Sequence, residues 1–373
     1  MRYATIMAGG AGTRLWPMSR KAQPKQLIQF VFRDGQDAPC SLLELAAARL
    51  DGLVPPERRV ICTGERYRGE IERVLPDFAG ERILGEPEGR DTINAVGFAA
   101  AVFGLHDPDA VFAVLTADHI IEPDEVFRDA MDVGFRMVEQ DPRRLVTFAI
   151  TPTYPATGFG YVRRGEGIDG FDERAFGVRE FKEKPDLETA TRYVESGQYG
   201  WNAGMFVFHA RTFMELLGKY APENAKGLEQ IAAAWDTPDR ARTLEEVYPT
   251  LPKTSVDYGI MEPASRDDSV SICGVDMDLR WLDVGSWPAY AETIKADGAG
   301  NRVRGTGDTV MVDSTDNLVI TGGSRRDGHG HTVALVGCEG LIVVQTDDAT
   351  LIMPADRAQD VKKAHEKARG ELK

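Results

Sequence analysis

Long apolar runs are missing from this sequence. No stretch reaches the roughly 18 residues that a bilayer-spanning helix needs, so a membrane span is not expected. Cysteine is scarce, and Cys40, Cys62, Cys273 and Cys338 lie far apart with no CxxC pair. That argues against a disulfide scaffold or a structural zinc site and for reduced thiols in a cytoplasmic protein. The start, Met1 to Met7, holds too short an apolar stretch for a secretory leader and runs straight into glycines. A positive balance is absent too: 44 basic residues against 59 acidic ones give −15. A nucleic-acid binder that works by coating phosphates would be basic, so no nucleic acid is expected as a partner. No low-complexity segment and no clear repeat interrupt the chain. What is present, 42% hydrophobic and 28% charged residues over 373 positions, suits a globular protein of two or three domains.

A local absence is more telling. Residues 1–33 contain Arg2, Arg14, Arg20, Lys21, Lys25 and Arg33 but no Asp or Glu. A cationic start on an acidic chain reads either as a solvated basic face or as a place that holds something anionic.

Over roughly the first 300 residues, short apolar runs alternate with helical patterns. Tyr3–Met7, Arg59–Thr63, Arg82–Leu84, Ala110–Leu115 and Leu145–Ile150 read as buried strands. Ser41-Leu42-Leu43-Glu44 opens a helix with a capping box. Helices also follow from Glu65 to Leu75, Thr92 to Leu105 and Pro123 to Asp141. This alternation predicts an α/β fold with a doubly wound, mainly parallel, Rossmann-like sheet, whose ligands sit beyond the carboxyl ends of the strands. From Thr309 to Met353 strands follow one another with no helix between them. They read as a small all-β (β-helix-like) C-terminal domain, followed by a terminal helix. Ala296 to Asn301 has the composition of a linker, which places the expected domains at residues 1–298 and 299–373.

The first strand feeds Ala8-Gly9-Gly10-Ala11-Gly12-Thr13-Arg14, and Pro24-Lys25-Gln26 follows. Glycines there let backbone N–H groups converge on an anion. A dinucleotide fingerprint is excluded, because Thr13, Arg14 and Leu15 stand where its third glycine belongs, and Pro17 and Pro24 oppose a long helix. A P-loop is excluded as well, since the only Gly-Lys, Gly218-Lys219, precedes Tyr220. What remains is a glycine loop with fixed cations, Arg14 as a planar fork and Lys25 as a point charge, both suited to a polyphosphate.

Gly-Gly-x-Gly-Thr-Arg-Leu-x-Pro with a later Pro-Lys resembles the signature of the sugar nucleotidyltransferases. Its longer form, through Trp16, Ser19-Arg20 and Lys25-Gln26, resembles the mannose-1-phosphate guanylyltransferases. The resemblance implies transfer of GMP from GTP to mannose 1-phosphate, with Mg²⁺ as the cofactor. It implies a nucleotide site at Ala8, Gly9, Gly10, Gly12 and Thr13, with Arg14 and Lys25 as the catalytic cations.

Other blocks extend it. Asp118, after the strand Ala110–Leu115, could cap the following helix, and Asp283 in Trp281-Leu282-Asp283 could be a turn residue; the resemblance implies that both bind the metal, because Mg²⁺ takes hard oxygens. His119 reads as a supporting residue. Phe181-Lys182-Glu183-Lys184-Pro185 resembles the family's F-x-E-K-P motif, which implies Lys184 on the sugar phosphate and Glu183 on sugar hydroxyls. Trp201-Asn202-Ala203-Gly204 and Gly158-Phe159-Gly160-Tyr161 imply Asn202 and Gly160 at the sugar. In Ser255-Val256-Asp257-Tyr258, Asp257 acts on the sugar, anchors a lid, or caps a helix. Base recognition is assigned to Glu86 and Arg90 in Gly85-Glu86-Pro87-Glu88-Gly89-Arg90-Asp91-Thr92-Ile93-Asn94. This block departs from the family's E-P-x-x-R-N-T-A-P-A at Asp91, Ile93 and Asn94.

The implied attacking group is an already ionised phosphate, which fits the lack of a convincing Ser/His/Asp or Cys/His set. A relative using another nucleoside triphosphate or a hexose or heptose 1-phosphate, and an inactive sugar-nucleotide-binding paralogue, are the alternatives. Exposed strand edges on the β appendage would allow a homodimer. His329-Gly330-His331 lacks further ligands and reads as an exposed turn.

Overall fold

The strand Val111–Thr116, five of whose six residues are buried, is an interior strand, fourth in order, of a nine-stranded sheet in a computed structural model of the chain. The structure describes residues 1–10, 12–21, 23–32, 38–322 and 332–372. Arg33, Ala11 and the His329-Gly330-His331 stretch therefore lie outside the described residues.

Arg2–Met7 runs parallel to Val111–Thr116 on one side and to Arg59–Gly64 on the other, and Ile83–Glu86 continues parallel beyond Arg59–Gly64. This half matches the alternation read from the sequence, with every strand end within two residues of its expected place. The other half is mixed. Tyr199–His209 pairs antiparallel with Val111–Thr116 and with Arg144–Ile150. Ser271–Asp276 is parallel to Arg144–Ile150, and the antiparallel strands Ala175–Lys182 and Tyr161–Gly167 complete the order. Four parallel neighbours share one carboxyl edge, where Met7, Gly64, Glu86 and Thr116 end their strands.

Helix Asp91–His106 is apolar nearly all round and accordingly buried, with Gly97 in close contact with Leu228 and Leu217 of the helices that cover it. Helix Asp124–Gln140 is amphipathic and buries Phe127, Ala130, Met131, Gly134 and Val138, an i, i+3, i+4, i+7, i+11 stripe.

The chain divides into two compact units. Met1–Gly9, Ala46–Ala117 and Ile121–Trp281 form the first, which holds the large sheet. Gly10–Leu45, Asp118–Ile120 and Leu282–Lys373 form the second. Residues 298 and 299, the expected boundary, fall inside the last of these segments.

The second unit explains the form of the signature stretch. Arg302–Gly305, Leu318–Thr321 and Leu341–Gln345 stack in parallel, Thr309–Val312 and Val333–Val336 form a second parallel wall, and Thr350–Pro354 closes antiparallel. Asn317 Nδ2 donates to Asn301 Oδ1 at 3.0 Å, and Asn301 Nδ2 donates to the Ser314 carbonyl at 2.8 Å, lining the inner corners. Leu15, Trp16, Ile28 and Phe30 share one hydrophobic cluster with Leu318, Ile342 and Val361. Trp16 Nε1 and Arg20 Nη1 both donate to the Leu372 carbonyl, at 2.8 and 2.9 Å. Arg20 also pairs with Asp348 at 2.5 Å. Arg20 is thus bound to the unit's own β strands and C-terminal turn. In the first unit Arg2 is held by Glu139 and Asp132, each at 2.7 Å. Part of the cationic start is matched by acids far along the chain. The terminal helical stretch is a 3₁₀ segment Ala355–Asp360 followed by helix Val361–Lys367.

Candidate active site

In the second unit the glycine segment places its cations by close backbone approach. Gly12 adopts φ +61°, and a Cβ there would stand 2.6 Å from Lys25 Cβ. Only glycine meets both conditions without strain. Ser19 Oγ donates to the Gly12 carbonyl at 2.7 Å and fixes the loop. Lys25, 8% exposed, reaches Asp118 Oδ2 at 2.7 Å. Asp118 is therefore not the helix cap that spacing allowed: the position before helix Asp124–Gln140 is Pro123, with no side-chain cap. Burial opposes the Asp118 charge, but His119 and Lys25 outweigh it and hold the carboxyl below its usual range.

The Val284 N–H donates to the Asp118 carbonyl at 3.1 Å, which ties the Asp118 and Asp283 segments together. Asp118, His119 and Asp283 each present a donor atom, and the three lie within 4.8 Å of one another. Asp283 Oδ1 is buried with no hydrogen-bond partner. Leaving a carboxylate oxygen so placed is costly unless a cation meets it. Two hard carboxylates with one orphaned oxygen fit a divalent ion of the Mg²⁺ type. His119, which the sequence suggested only as a supporting residue, offers the third donor. Arg14 Nη2 and Asp283 Oδ1 would each lie 3.1 Å from a side chain placed at Gly285, so both flank that glycine.

In the first unit the strand ends bring five predicted residues together. A Cβ on Gly160 would stand 2.6 Å from Glu183 Oε2 and 3.2 Å from Asn202 Cβ. The Asn202 N–H donates to the Gly160 carbonyl at 2.8 Å. Asn202 Nδ2 donates to Asp257 Oδ1 at 2.8 Å, and its Oδ1 accepts from the buried Thr147 hydroxyl at 2.7 Å. Thr147 is a residue that sequence reasoning missed; its hydroxyl sets which way the Asn202 amide points. Lys184 Nζ lies 2.6 Å from Glu183 Oε1, with its backbone in the left-handed region at φ +44°. A non-glycine residue held there is strained, a feature found at binding sites. Its side chain remains half exposed (51%), which leaves it accessible to an anion. Burial works against the Lys184 charge, but Glu183 and Asp257 reverse that and raise its pKa.

Asp257 opens the π-helical turn Asp257–Met261, a form that recurs at functional sites. Its carboxylate faces Asn202, and Ser255 Oγ takes the Tyr258 N–H at 3.2 Å, so Ser255 serves the capping role considered for Asp257. Burial and the nearby Glu183 charge push the Asp257 carboxyl up to about 7.

At the carboxyl edge of the sheet, Ala8 is fixed by Thr63 Oγ1 on its carbonyl at 2.9 Å. Glu86 is 7% exposed, and its Oε1 accepts from the Tyr248 hydroxyl at 2.7 Å. Burial raises the Glu86 pKa against the Tyr248 and Arg90 N–H hydrogen bonds that lower it. Arg90 is turned toward its own chain, with Nη2 on Glu88 at 3.1 Å and Nη1 on the Leu251 carbonyl at 3.4 Å. Tyr248 has no local sequence signature, because its partner lies 162 positions away. Gly9, Gly10 and Thr13 complete the loop, with Gly9 and Gly10 exposed.

Comparison with known proteins points the same way. A profile described as Nucleotidyl transferase matches residues 3–299, and one described as MannoseP isomerase/GMP-like beta-helix domain matches residues 307–367. Mannose-1-phosphate guanylyltransferase of Escherichia coli is 38% identical over 371 residues, covering 98% of this chain and 74% of that protein. Mannose-1-phosphate guanylyltransferase ManC of Salmonella typhimurium is 40% identical over 375 residues, covering 99% of this chain and 73% of the relative. A crystal structure described as mannose-1-phosphate geranyltransferase from Thermus thermophilus superposes with a TM-score of 0.82 at 33% identity, covering 98% of each chain.

Proposed function

The chain belongs to the nucleotidyl transferase family and, within it, to the mannose-1-phosphate guanylyltransferases, and on that premise we propose that it transfers GMP from GTP to mannose 1-phosphate. An oxygen of the sugar phosphate attacks the α-phosphorus of GTP and forms the new P–O bond. The bond from the α-phosphorus to the α–β bridging oxygen breaks, and its electron pair leaves with pyrophosphate. GDP-mannose is the other product.

Because the attacking phosphate has its second pKa near ~6, it is mostly ionised at neutral pH and needs no general base. The obstacle is repulsion between two anions, so positioning and charge neutralisation carry the catalysis. Arg14 and Lys25, with the N–H groups of Ala8, Gly9, Gly10, Gly12 and Thr13, hold the triphosphate. Lys184 takes the sugar phosphate, while Glu183, Asn202, Asp257 and the Gly160 backbone orient the hexose. Glu86 is a buried acceptor suited to the guanine N–H edge, with Arg90 beside it in the chain.

Members of this family usually use a divalent metal. Asp118 and Asp283, with His119 beside them, would hold Mg²⁺, which supplies charge neutralisation and alignment of phosphate oxygens when bound. The single observation that carries this reading is the orphaned Asp283 carboxylate oxygen clustered with Asp118 and His119.

We read residues 1–298 as the transferase part and 299–373 as the β domain, a division that the two profile matches support. We place the protein in the cytoplasm from the number and wide spacing of its cysteines in the sequence, Cys40, Cys62, Cys273 and Cys338. Among the described residues, no helix is long and apolar enough to cross a membrane.

The test is pyrophosphate release across nucleoside triphosphates and sugar 1-phosphates. GTP with mannose 1-phosphate should give the highest kcat/KM. A clear preference for UTP, dTTP or ATP, or for glucose 1-phosphate, would overturn the base or sugar assignment, and no turnover with any pair would leave a binding protein.

A further inference from the structure

Segment 248–257 crosses the first turn of helix Asp91–His106 and is pinned to residues 90–94 at Leu251, Pro252, Thr254 and Val256. Asn94 and Asn224 are 0% and 2% exposed. Asn94 Nδ2 donates to the Pro252 carbonyl at 2.8 Å and to the Arg90 carbonyl at 2.7 Å. Asn224 Nδ2 donates to the same Pro252 carbonyl at 2.9 Å and to Asn94 Oδ1 at 2.8 Å. One carbonyl of the segment is thus gripped by two buried amides that also grip each other. On the flanks, the Ile93 N–H donates to the Thr254 carbonyl at 3.3 Å, and the Val256 N–H donates to Thr92 Oγ1 at 2.9 Å. Gly259 packs directly beneath Ile93, leaving no room for a side chain.

The two ends of this segment reach different groups. At one end the Tyr248 hydroxyl sits on Glu86, and Arg90 leans on the Leu251 carbonyl. At the other, Asp257 receives the Asn202 amide. A buried, satisfied polar network is stiff and has one preferred arrangement. Glu86 and Arg90 at one end and Asp257 at the other are thus joined through one short segment, whose Pro252 carbonyl Asn94 holds. Asn94 is also where the sequence departs from the motif it resembles. Its side chain makes contacts that a proline at that position could not.

We infer that Asn94 is a positioning residue that couples the nucleotide end of the first unit, Glu86 and Arg90, to its sugar-phosphate end, Asp257 and Asn202. Occupancy of one end then raises affinity at the other. This rests on the ligand assignments of the proposed function.

The experiment is calorimetric titration of the full chain with guanosine α,β-methylene triphosphate, whose α–β bridge cannot be split. Titrations are run with and without mannose 1-phosphate, in Mg²⁺. The wild type should bind the nucleotide at least about fivefold more tightly when the sugar phosphate is present. In Asn94→Ala that factor should fall to within about twofold of unity, while the affinity for either ligand alone changes less than the factor itself. Asn224→Ala keeps one amide on Pro252 and should give an intermediate factor, so it carries the test if Asn94→Ala does not fold. An unchanged factor in both variants overturns the inference. So does a loss in which both single-ligand affinities fall together with melting temperature while the factor is kept, since that marks a purely structural role. A wild type that binds both ligands without coupling overturns it too. If the wild type binds neither ligand, the functional reading itself fails.

Discussion

Lys25 Nζ stands 2.7 Å from Asp118 Oδ2, so a cation assigned to the triphosphate and an anion assigned to the metal neutralise each other. Both side chains are largely withdrawn from solvent, at 10% and 28% exposure, which strengthens the pair. Loading the site means exchanging this internal partner for the ligands' charges.

Replacing Lys25 by methionine should lower kcat by on the order of 10²–10³. The same change takes a competing cation off Asp118, so Mn²⁺ should bind more tightly to the nucleotide-free variant than to the wild type. Steady-state kinetics and electron paramagnetic resonance of bound Mn²⁺ check the two halves. A variant with near-normal kcat refutes the role of Lys25.

Asp283→Asn keeps the shape and removes the charge. The Mg²⁺ concentration for half-maximal activity should rise by at least about tenfold, the equivalent of ~1.4 kcal/mol of lost ion binding. Melting temperature in EDTA should hold or rise, because an unpartnered buried carboxylate oxygen is gone. A parallel collapse of stability and activity would make Asp283 a structural residue instead.

Gly12→Ala meets two penalties: a left-handed backbone worth about 1–2 kcal/mol and a methyl 2.6 Å from Lys25 Cβ. Relieving the second displaces Lys25. Urea unfolding should show the stability loss, and the KM for GTP should rise. A variant with wild-type KM would detach Lys25 from nucleotide binding.

Asp257 makes stability depend on pH in a defined direction. Its carboxyl is raised to about 7 by burial and by Glu183, whereas in the unfolded chain it titrates near about 3.9. The folded state binds more protons between those values, so this contribution is fully present below about pH 4 and is lost as pH rises through 7. Asp257→Asn should therefore be more stable than the wild type at pH 8 and lose that advantage near pH 4. Thermal melts across the range test it, and a difference that ignores pH contradicts it.

Local signals carried much of this in advance. The capping box at Ser41 and Glu44 forms, with the Ser41 N–H on Glu44 Oε2 at 2.7 Å and the Glu44 N–H on Ser41 Oγ at 3.2 Å. The buried strands are legible because their apolar runs are bounded by polar turns. Gly160, Glu183, Asn202 and Asp257 could be named from motifs, but their meeting in one cluster is a product of the sheet order. The mixed half of that sheet is not legible, since pairing direction depends on long connections that leave no local pattern. Tyr248 and Asn224 carry no local signal for the same reason, since a buried tyrosine or asparagine looks ordinary until its distant partner is known; Asn94 stands out in the sequence only as a departure from the motif, without its partners Pro252 and Asn224. Arg20 illustrates the reverse case. It sits in the signature stretch as though it were meant for phosphate, yet it is engaged by Asp348 and the Leu372 carbonyl.

The central claim is that a sugar-phosphate oxygen displaces pyrophosphate from the α-phosphorus of GTP. Mannose 1-phosphate labelled with ¹⁸O in its phosphate oxygens, incubated with unlabelled GTP and Mg²⁺, tests it by mass spectrometry of the products. The account predicts GDP-mannose that keeps all of the label, including the oxygen bridging the two phosphates, together with unlabelled pyrophosphate. Label in the pyrophosphate, or no GDP-mannose formed, would contradict it.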